Sequence, residues 1–260
     1  MNQKALKRFL RNFRHYQVII TDSICLSNLD LIDTLAMGCY HRDMATEPVD
    51  LRKEEAKTLA SQRRRYSFLA EGLFVWLSLF YGRRRSVSKF KVLEVIARVP
   101  YQAWENVAYI AMTHTYGSPG FARRIFEFVK EARSQQDNEQ WHLLILEEMT
   151  EKKRLKENFF FYRLMPQIMA FIYYHISWLL YVMKPAWSYA LNADLEDHAE
   201  HEYMAFVREH SELEQEPFES EFKRDYGEYK SVAELFRRIG LDERIHKEES
   251  EARIEQARFH

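Results

Sequence analysis

Apolar residues recur along this chain mostly at three- and four-residue intervals, the period of an amphipathic helix, and seldom in the strict alternation of a half-buried strand. The pattern predicts helices over about 17–37, 50–82, 88–115, 119–134, 138–154, 156–183, 186–212 and 231–256. Breakers separate several of them: the turn Tyr116-Gly117-Ser118-Pro119-Gly120, the pair Lys184-Pro185, and a polar stretch from 211 to 230 that contains Pro217 and Gly227. The charged stretch 41–66 reads as an insertion or a solvated helix rather than core. Two segments are unusually apolar, 67–81 and 168–183. Each falls short of the roughly 20 apolar residues that a membrane span needs, and they carry Glu71 and His175 respectively. Two readings stay open for them, a buried helix or a helix whose aromatic face lies in the bilayer interface.

Composition agrees with an all-α fold. Seven glycines and six prolines in 260 residues are too few for the turns of a sandwich, a barrel or a doubly wound sheet. An aromatic content of 15% excludes a disordered chain. With 38 basic against 39 acidic residues there is no global field for nucleic acid. Cys25 and Cys39 do not make a disulfide framework. The first fifteen residues are basic without an acid, which reads as a targeting tail or a membrane-surface segment. The triplets Arg63-Arg64-Arg65 and Arg83-Arg84-Arg85 read as solvated or facing lipid headgroups.

Candidate chemistry starts from the histidines. Of ten, two have a glutamate three positions earlier, in Glu139-Gln-Trp-His142 and Glu243-Arg-Ile-His246. On a helix such a pair presents a carboxylate and an imidazole to one point. Single glutamates lie on apolar helical stretches between and before them: Glu94 among Val92, Leu93, Val95 and Ile96, and Glu196 in Asp194-Leu-Glu196-Asp-His198. One glutamate from each of two helices, with Glu-x-x-His from each of two others, is the ligand set of two-iron helical bundles. Oxygen and nitrogen donors without cysteine suit iron or manganese better than structural zinc. A carboxylate buried among aliphatic residues is costly without such a partner.

The ordered motifs resemble the alternative oxidase family, in particular its plastid terminal oxidase branch. Leu93-Glu94-Val-Ile-Ala-Arg-Val-Pro-Tyr101 resembles the family's Leu-Glu-Thr segment. Asn138-Glu139-Gln-Trp-His142-Leu-Leu is similar to its Asn-Glu-x-x-His-Leu motif. Leu195-Glu196-Asp-His198-Ala199 with Tyr203 resembles the third-helix motif, and Asp242-Glu243-Arg-Ile-His246 the closing one. Thr21-Asp-Ser23 and Leu31-Ile-Asp-Thr-Leu35 also look like the plastid branch.

The resemblance implies a single ferritin-like di-iron four-helix bundle with additional helices, bound monotopically to one leaflet. Within 1–260 it places an N-terminal helical arm at 1–40, the insertion at 41–66 and the bundle at 88–256. It implies a quinol:oxygen oxidoreductase that reduces O2 to water without pumping protons. Glu94, Glu139, His142, Glu196, Glu243 and His246 match the ligands of two iron ions. Tyr203 matches a catalytic tyrosine, and Asn138 and Asp242 match positions behind the ligands. Lys89, Leu93, His198 and Glu202 match the quinol pocket. Lys89 stands where the family usually has arginine, and Glu202 where it has a small hydroxyl residue. The implied partners are O2, membrane lipid, a second copy of the chain, and a quinol, with plastoquinol favoured over ubiquinol. A thylakoid, plastid or bacterial membrane is favoured over the mitochondrial inner membrane. Other readings are a different ferritin-like di-iron oxygenase or oxidase, and a non-catalytic helical protein of the membrane surface.

Overall fold

The structure is a computed structural model that describes residues 49–256. The expected arm at 1–40, the helix over 17–37, both cysteines and the start of the 41–66 segment lie outside these residues. Among the described residues there is no strand. The helices of more than two turns are α1 Leu51–Ala60, α2 Phe68–Tyr81, α3 Val87–Ala97, α4 Val99–Thr115, α5 Pro119–Lys152, α6 Met165–Met183, α7 Pro185–Glu209 and α8 Val232–Glu255. Single turns occur at Phe160–Leu164, Ser211–Glu214 and Lys223–Tyr226.

Local chemistry sets the helix starts. The side chains of Asp50, Ser67, Ser86 and Ser231 accept from the first free backbone N–H groups of α1, α2, α3 and α8. Pro119 and Pro185 open α5 and α7, where a missing N–H costs nothing. Pro100 has no N–H to extend the ladder of α3, so the rod expected over 88–115 divides at Arg98 into α3 and α4.

Two other boundaries differ from expectation. The single helix predicted over 50–82 is broken at 61–67, because this stretch bonds to α7 instead of to itself. The Arg64 N–H donates to Asp197 Oδ2 at 3.1 Å and the Ser67 N–H to Asp194 Oδ2 at 2.8 Å. Conversely, the helices predicted over 119–134 and 138–154 are one, α5, since Gln135, Gln136 and Asp137 contain no breaker.

α7 is the central rod and packs most extensively against α8. Between 191 and 207 every residue of α7 is buried except His198 and Glu202. α3 shows the same pattern: from Val87 to Ala97 only Lys89 is not buried. Gly240 on α8 lets the two rods meet closely, since a Cβ there would lie 3.0 Å from Met204 Cε. α1 packs on α7 and α8, so this part of the charged 41–66 segment is engaged rather than simply solvated. Thr58 Oγ1 donates to Glu200 at 2.6 Å, and Arg244 Nε meets the same carboxylate at 2.8 Å.

α2 and α6 keep large apolar side chains in the open. Phe68 is 80% exposed and Phe171 66%, with Val75, Leu79, Ile172 and Leu179 also exposed. At the end of α2, Tyr81 Oη donates to the Phe161 carbonyl, in the turn that leads into α6, at 2.6 Å. No helix of the described residues is long and apolar enough to cross a membrane.

Candidate metal centre and adjoining cavity

Four helices bring the candidate ligands to one place: Glu94 from α3, Glu139 and His142 from α5, Glu196 from α7, and Glu243 and His246 from α8. All four glutamates and His142 are fully buried, and His246 nearly so. They form two overlapping groups with donor atoms within 4.8 Å of one another, Glu94, Glu139, His142 and Glu243 in one, Glu139, Glu196, Glu243 and His246 in the other. Glu139 and Glu243 belong to both. His142 Nδ1 lies 3.4 Å from Glu94 Oε2 and 3.3 Å from Glu243 Oε1, and His246 Nδ1 lies 2.7 Å from Glu139 Oε1.

Unpartnered atoms test whether cations fit. Eight donor atoms of these six side chains are buried without a hydrogen bond: both oxygens of Glu139 and of Glu243, Oε2 of Glu94 and of Glu196, and Nδ1 of each histidine. The remaining oxygens of Glu94 and Glu196 are occupied, since Tyr203 Oη donates to Glu94 Oε1 and Tyr101 Oη donates to Glu196 Oε1 at 2.7 Å. The two carboxylates common to both groups thus have two free oxygens each, and the two that belong to one group have one each. Such a distribution suits two cations, with Glu139 and Glu243 offering oxygens to both groups. Among the described residues the eight contact only one another, as in His246 Nδ1 with Glu139 Oε1, and a buried polar group without a hydrogen bond costs about 1–3 kcal/mol, more if charged, so a cation among them would satisfy what they cannot satisfy in each other.

Electrostatics agree. Burial and the Glu139 charge push Glu94 up to about 8. Burial and the same neighbour raise Glu196, and burial with Glu139 and Glu94 holds Glu243 well above the usual carboxylate range. Burial would also raise Glu139, but His142 and His246 reverse this and hold it low. Burial would lower both imidazoles. Tyr226, Asp242 and the glutamates instead hold His142 well above its ordinary value, and Glu139 raises His246 to about 9. Four carboxylates cannot all ionise in a dry pocket unless positive charge enters with them.

Groups behind the candidate ligands fix their orientation. His142 Nε2 lies 3.0 Å from Tyr226 Oη, which donates to Asp242 Oδ2 at 2.6 Å, while Arg238 pairs with Asp242 Oδ1 at 2.6 Å. Asn192 Nδ2 donates to Tyr101 Oη at 3.0 Å. Phe90 stacks on Tyr203 with centroids 4.2 Å apart. Asp242 therefore stands directly behind the candidate ligand His142. Asn138 does not: its Oδ1 is buried without a partner and no hydrogen bond joins it to the cluster.

A narrow cavity adjoins the cluster, lined by Leu77, Arg85, Lys89, Phe90, Leu93, His198 and Glu202. Lys89, Leu93, His198 and Glu202, expected to share a pocket, all line it. Leu93 precedes Glu94 and Phe90 stacks on Tyr203, so one wall separates cavity from cluster. Glu202 Oε1 accepts from Arg63 Nη2 at 2.8 Å and Arg85 Nη2 at 3.0 Å. Lys89 Nζ donates to the Gly82 carbonyl at 3.0 Å. Burial, against the pull of Glu202, lowers His198 to about 4.

Arg63, Arg64 and Arg85 correct the reading of the arginine triplets as solvated or headgroup-facing. Arg64 pairs with Asp194 at 3.1 Å and with Glu251, and the other two hold Glu202. Their carboxylate partners lie more than a hundred residues away, beyond the reach of local pattern. Tyr226, in the polar stretch 211–230, and Tyr101, inside a recognisable motif, carried no signal of their own for an orienting role. His175 is exposed, and the buried His201 is held by the Asp197 carbonyl at 2.8 Å, apart from the cluster.

Carboxylates and imidazoles converging from four helices, with free donors apportioned for two shared sites, define the class of helical bundles built to hold a pair of metal ions. The family model described as Alternative oxidase matches residues 52–250, and the chain belongs to that family. It is also 33% identical over 141 residues to ubiquinol oxidase 4, chloroplastic/chromoplastic, of Arabidopsis thaliana. That match covers 54% of this chain and 37% of the relative, so the chain spans well under half of that protein's length.

Proposed function

We propose that this chain is a membrane-surface quinol:oxygen oxidoreductase, in which two quinols and one O2 give two quinones and two waters, without proton pumping. The observation that carries the reading is the apportioning of the eight unpartnered donor atoms, two on each shared carboxylate and one on each remaining ligand. Family membership supports the assignment, and the relative's name supports a quinol as reductant. Two irons, when bound, would supply the redox chemistry that couples two-electron quinol oxidation to four-electron O2 reduction.

The chain's own residues do the rest. Glu139 and Glu243 would bridge, with Glu94 and His142 completing one site and Glu196 and His246 the other. Tyr203 holds its proton at Oη, pushed well above its ordinary value by burial and by Glu94; it would give that proton and an electron on the Glu94 side, toward O2 reduction, and recover both from a quinol across the wall it shares with the cavity. In the cavity, Leu93 and Phe90 offer an apolar bed for a ring, while Lys89, His198 and Glu202 gather at its polar end. The exposed faces of α2 and α6 suit one leaflet, from which a lipid-soluble quinol reaches the cavity without entering water. Plastoquinol as substrate, a plastid, thylakoid or bacterial membrane, and a homodimer belong to the same proposal, by resemblance to the plastid branch. Oxygen uptake by vesicles carrying the protein, driven by added quinol in the presence of cyanide, tests it. Uptake should be lost in Glu94→Ala, and uptake that survives this substitution contradicts the assigned site.

A further inference from the structure

The stretch 61–67, extended because it bonds to α7, places Arg63 beside the cavity. Arg63 Nη1 lies 3.3 Å from His198 Nδ1, and its Nη2 donates to Glu202 at 2.8 Å. A guanidinium has donors only and does not lose its charge in proteins. The nitrogen it faces must therefore offer a lone pair, which leaves the imidazole proton on Nε2. Arg63 is itself held: Glu202 is shared with Arg85 at 3.0 Å, and Arg85 is anchored on Glu209 at 2.6 Å. Ring orientation is set from the same region of chain. Phe74 stacks on His198 with centroids 3.9 Å apart and planes at 15°, and Tyr66 meets it edge-on at 6.2 Å. His198 lines the cavity, and among the described residues its Nε2 has no hydrogen-bond partner.

We propose that Arg63 is a positioning residue for the substrate ring: it fixes His198 as the Nε2–H tautomer, so that the imidazole donates a hydrogen bond to one ring oxygen in the cavity. This rests on the reading of the cavity as the quinol site. The specificity it adds is for a ring whose oxygen accepts. Glu202, already taking two guanidinium donors, acts as the clamp that holds Arg63 in place and is not the group that meets the ring.

The test uses the full-length, iron-loaded protein in phospholipid vesicles with a short-chain benzoquinol, comparing Arg63→Ala, Arg63→Lys, His198→Phe and the double variant Arg63→Ala/His198→Phe. Arg63→Ala should raise KM about tenfold with kcat within about twofold, because one hydrogen bond to the ring is lost. Arg63→Lys, also donor-only, should recover most of the loss. In the His198→Phe background, Arg63→Ala should raise KM no further, since its effect passes through the imidazole. Infrared spectra of the bound quinone should show one carbonyl band shifted to lower frequency in wild type and Arg63→Lys, and unshifted in the other variants. An unchanged KM in Arg63→Ala, or a full-sized effect of that substitution without His198, overturns the inference while leaving the quinol reading standing. A wild-type protein that neither oxidises the quinol nor binds the quinone overturns both.

Discussion

The hydroxyl of Tyr203 donates to Oε1 of Glu94, and this leaves Oε2 as the single free oxygen of that carboxylate. The contact joins the buried carboxylate–imidazole cluster to the cavity, because Phe90, which lines the cavity, lies flat on the Tyr203 ring. Tyr203→Phe keeps the ring and removes the donor. Glu94 Oε1 is then buried without a partner, at a cost of about 1–3 kcal/mol. We expect a lower melting temperature for the metal-free protein, about two irons per chain still bound after reconstitution, and a fall in kcat of at least about tenfold. Unchanged kcat removes Tyr203 from the chemistry.

Tyr226 and Asp242 hold the far nitrogen of His142. Tyr226→Phe deletes the hydroxyl that lies 3.0 Å from Nε2 and frees Asp242 from its 2.6 Å bond. Loss of such an outer partner costs roughly 10–100-fold in metal affinity or activity. Competition with a calibrated chelator measures it. The quinone affinity of the metal-loaded variant should stay at the wild-type value, since the cavity lies on the other side of the cluster's wall.

Removing metal should make stability fall as pH rises. Glu94, raised from 4.5 to about 8, contributes stability that is complete below 4.5 and is lost as pH climbs to its folded value. His246, raised from 6.5 to about 9, contributes stability that is complete below 6.5 and is lost through about 9. Both signs agree, so the melting temperature of metal-free protein should decline from pH 5 to pH 9. Metal takes deprotonated ligands and is favoured by the same rise. The gap between loaded and stripped protein should therefore widen with pH. A gap that narrows contradicts this electrostatic picture.

Membrane attachment is testable at single side chains. Phe68 and Phe171 are 80% and 66% exposed on the apolar faces of α2 and α6. Burying one such ring is worth about 1.5–3 kcal/mol, so Phe68→Ser with Phe171→Ser should weaken partitioning into vesicles by at least about tenfold. Both positions lie away from the packed interior, and the melting temperature of the detergent-solubilised protein should change little. Equal partitioning assigns these faces another partner.

Periodicity alone conveyed the helical fold, because each rod must bury one face and few breakers intervene. The cluster of six candidate side chains was legible for the same reason: Glu139 with His142, and Glu243 with His246, need only one helix turn to converge, and Glu94 and Glu196 sit where an unpaired carboxylate is hard to explain. What escaped depends on partners distant in the chain. Arg63 and Arg85 look like surface charge until Glu202 is folded against them. Tyr226 sits in a stretch with no helical pattern, and its role exists only because α5 and α8 bring His142 and Asp242 beside it. The extended run 61–67 is helical by composition and becomes a strap only because Asp194 and Asp197 of α7 capture its N–H groups.

We propose that the buried cluster is a two-metal site to which Glu139 and Glu243 both contribute twice. Iron content after anaerobic reconstitution and desalting tests it most directly. Wild type should hold about two irons per chain, and Glu139→Ala should lose both together, because each site loses a ligand. Wild-type protein that retains under about one iron per chain, or Glu139→Ala that still holds two, contradicts it.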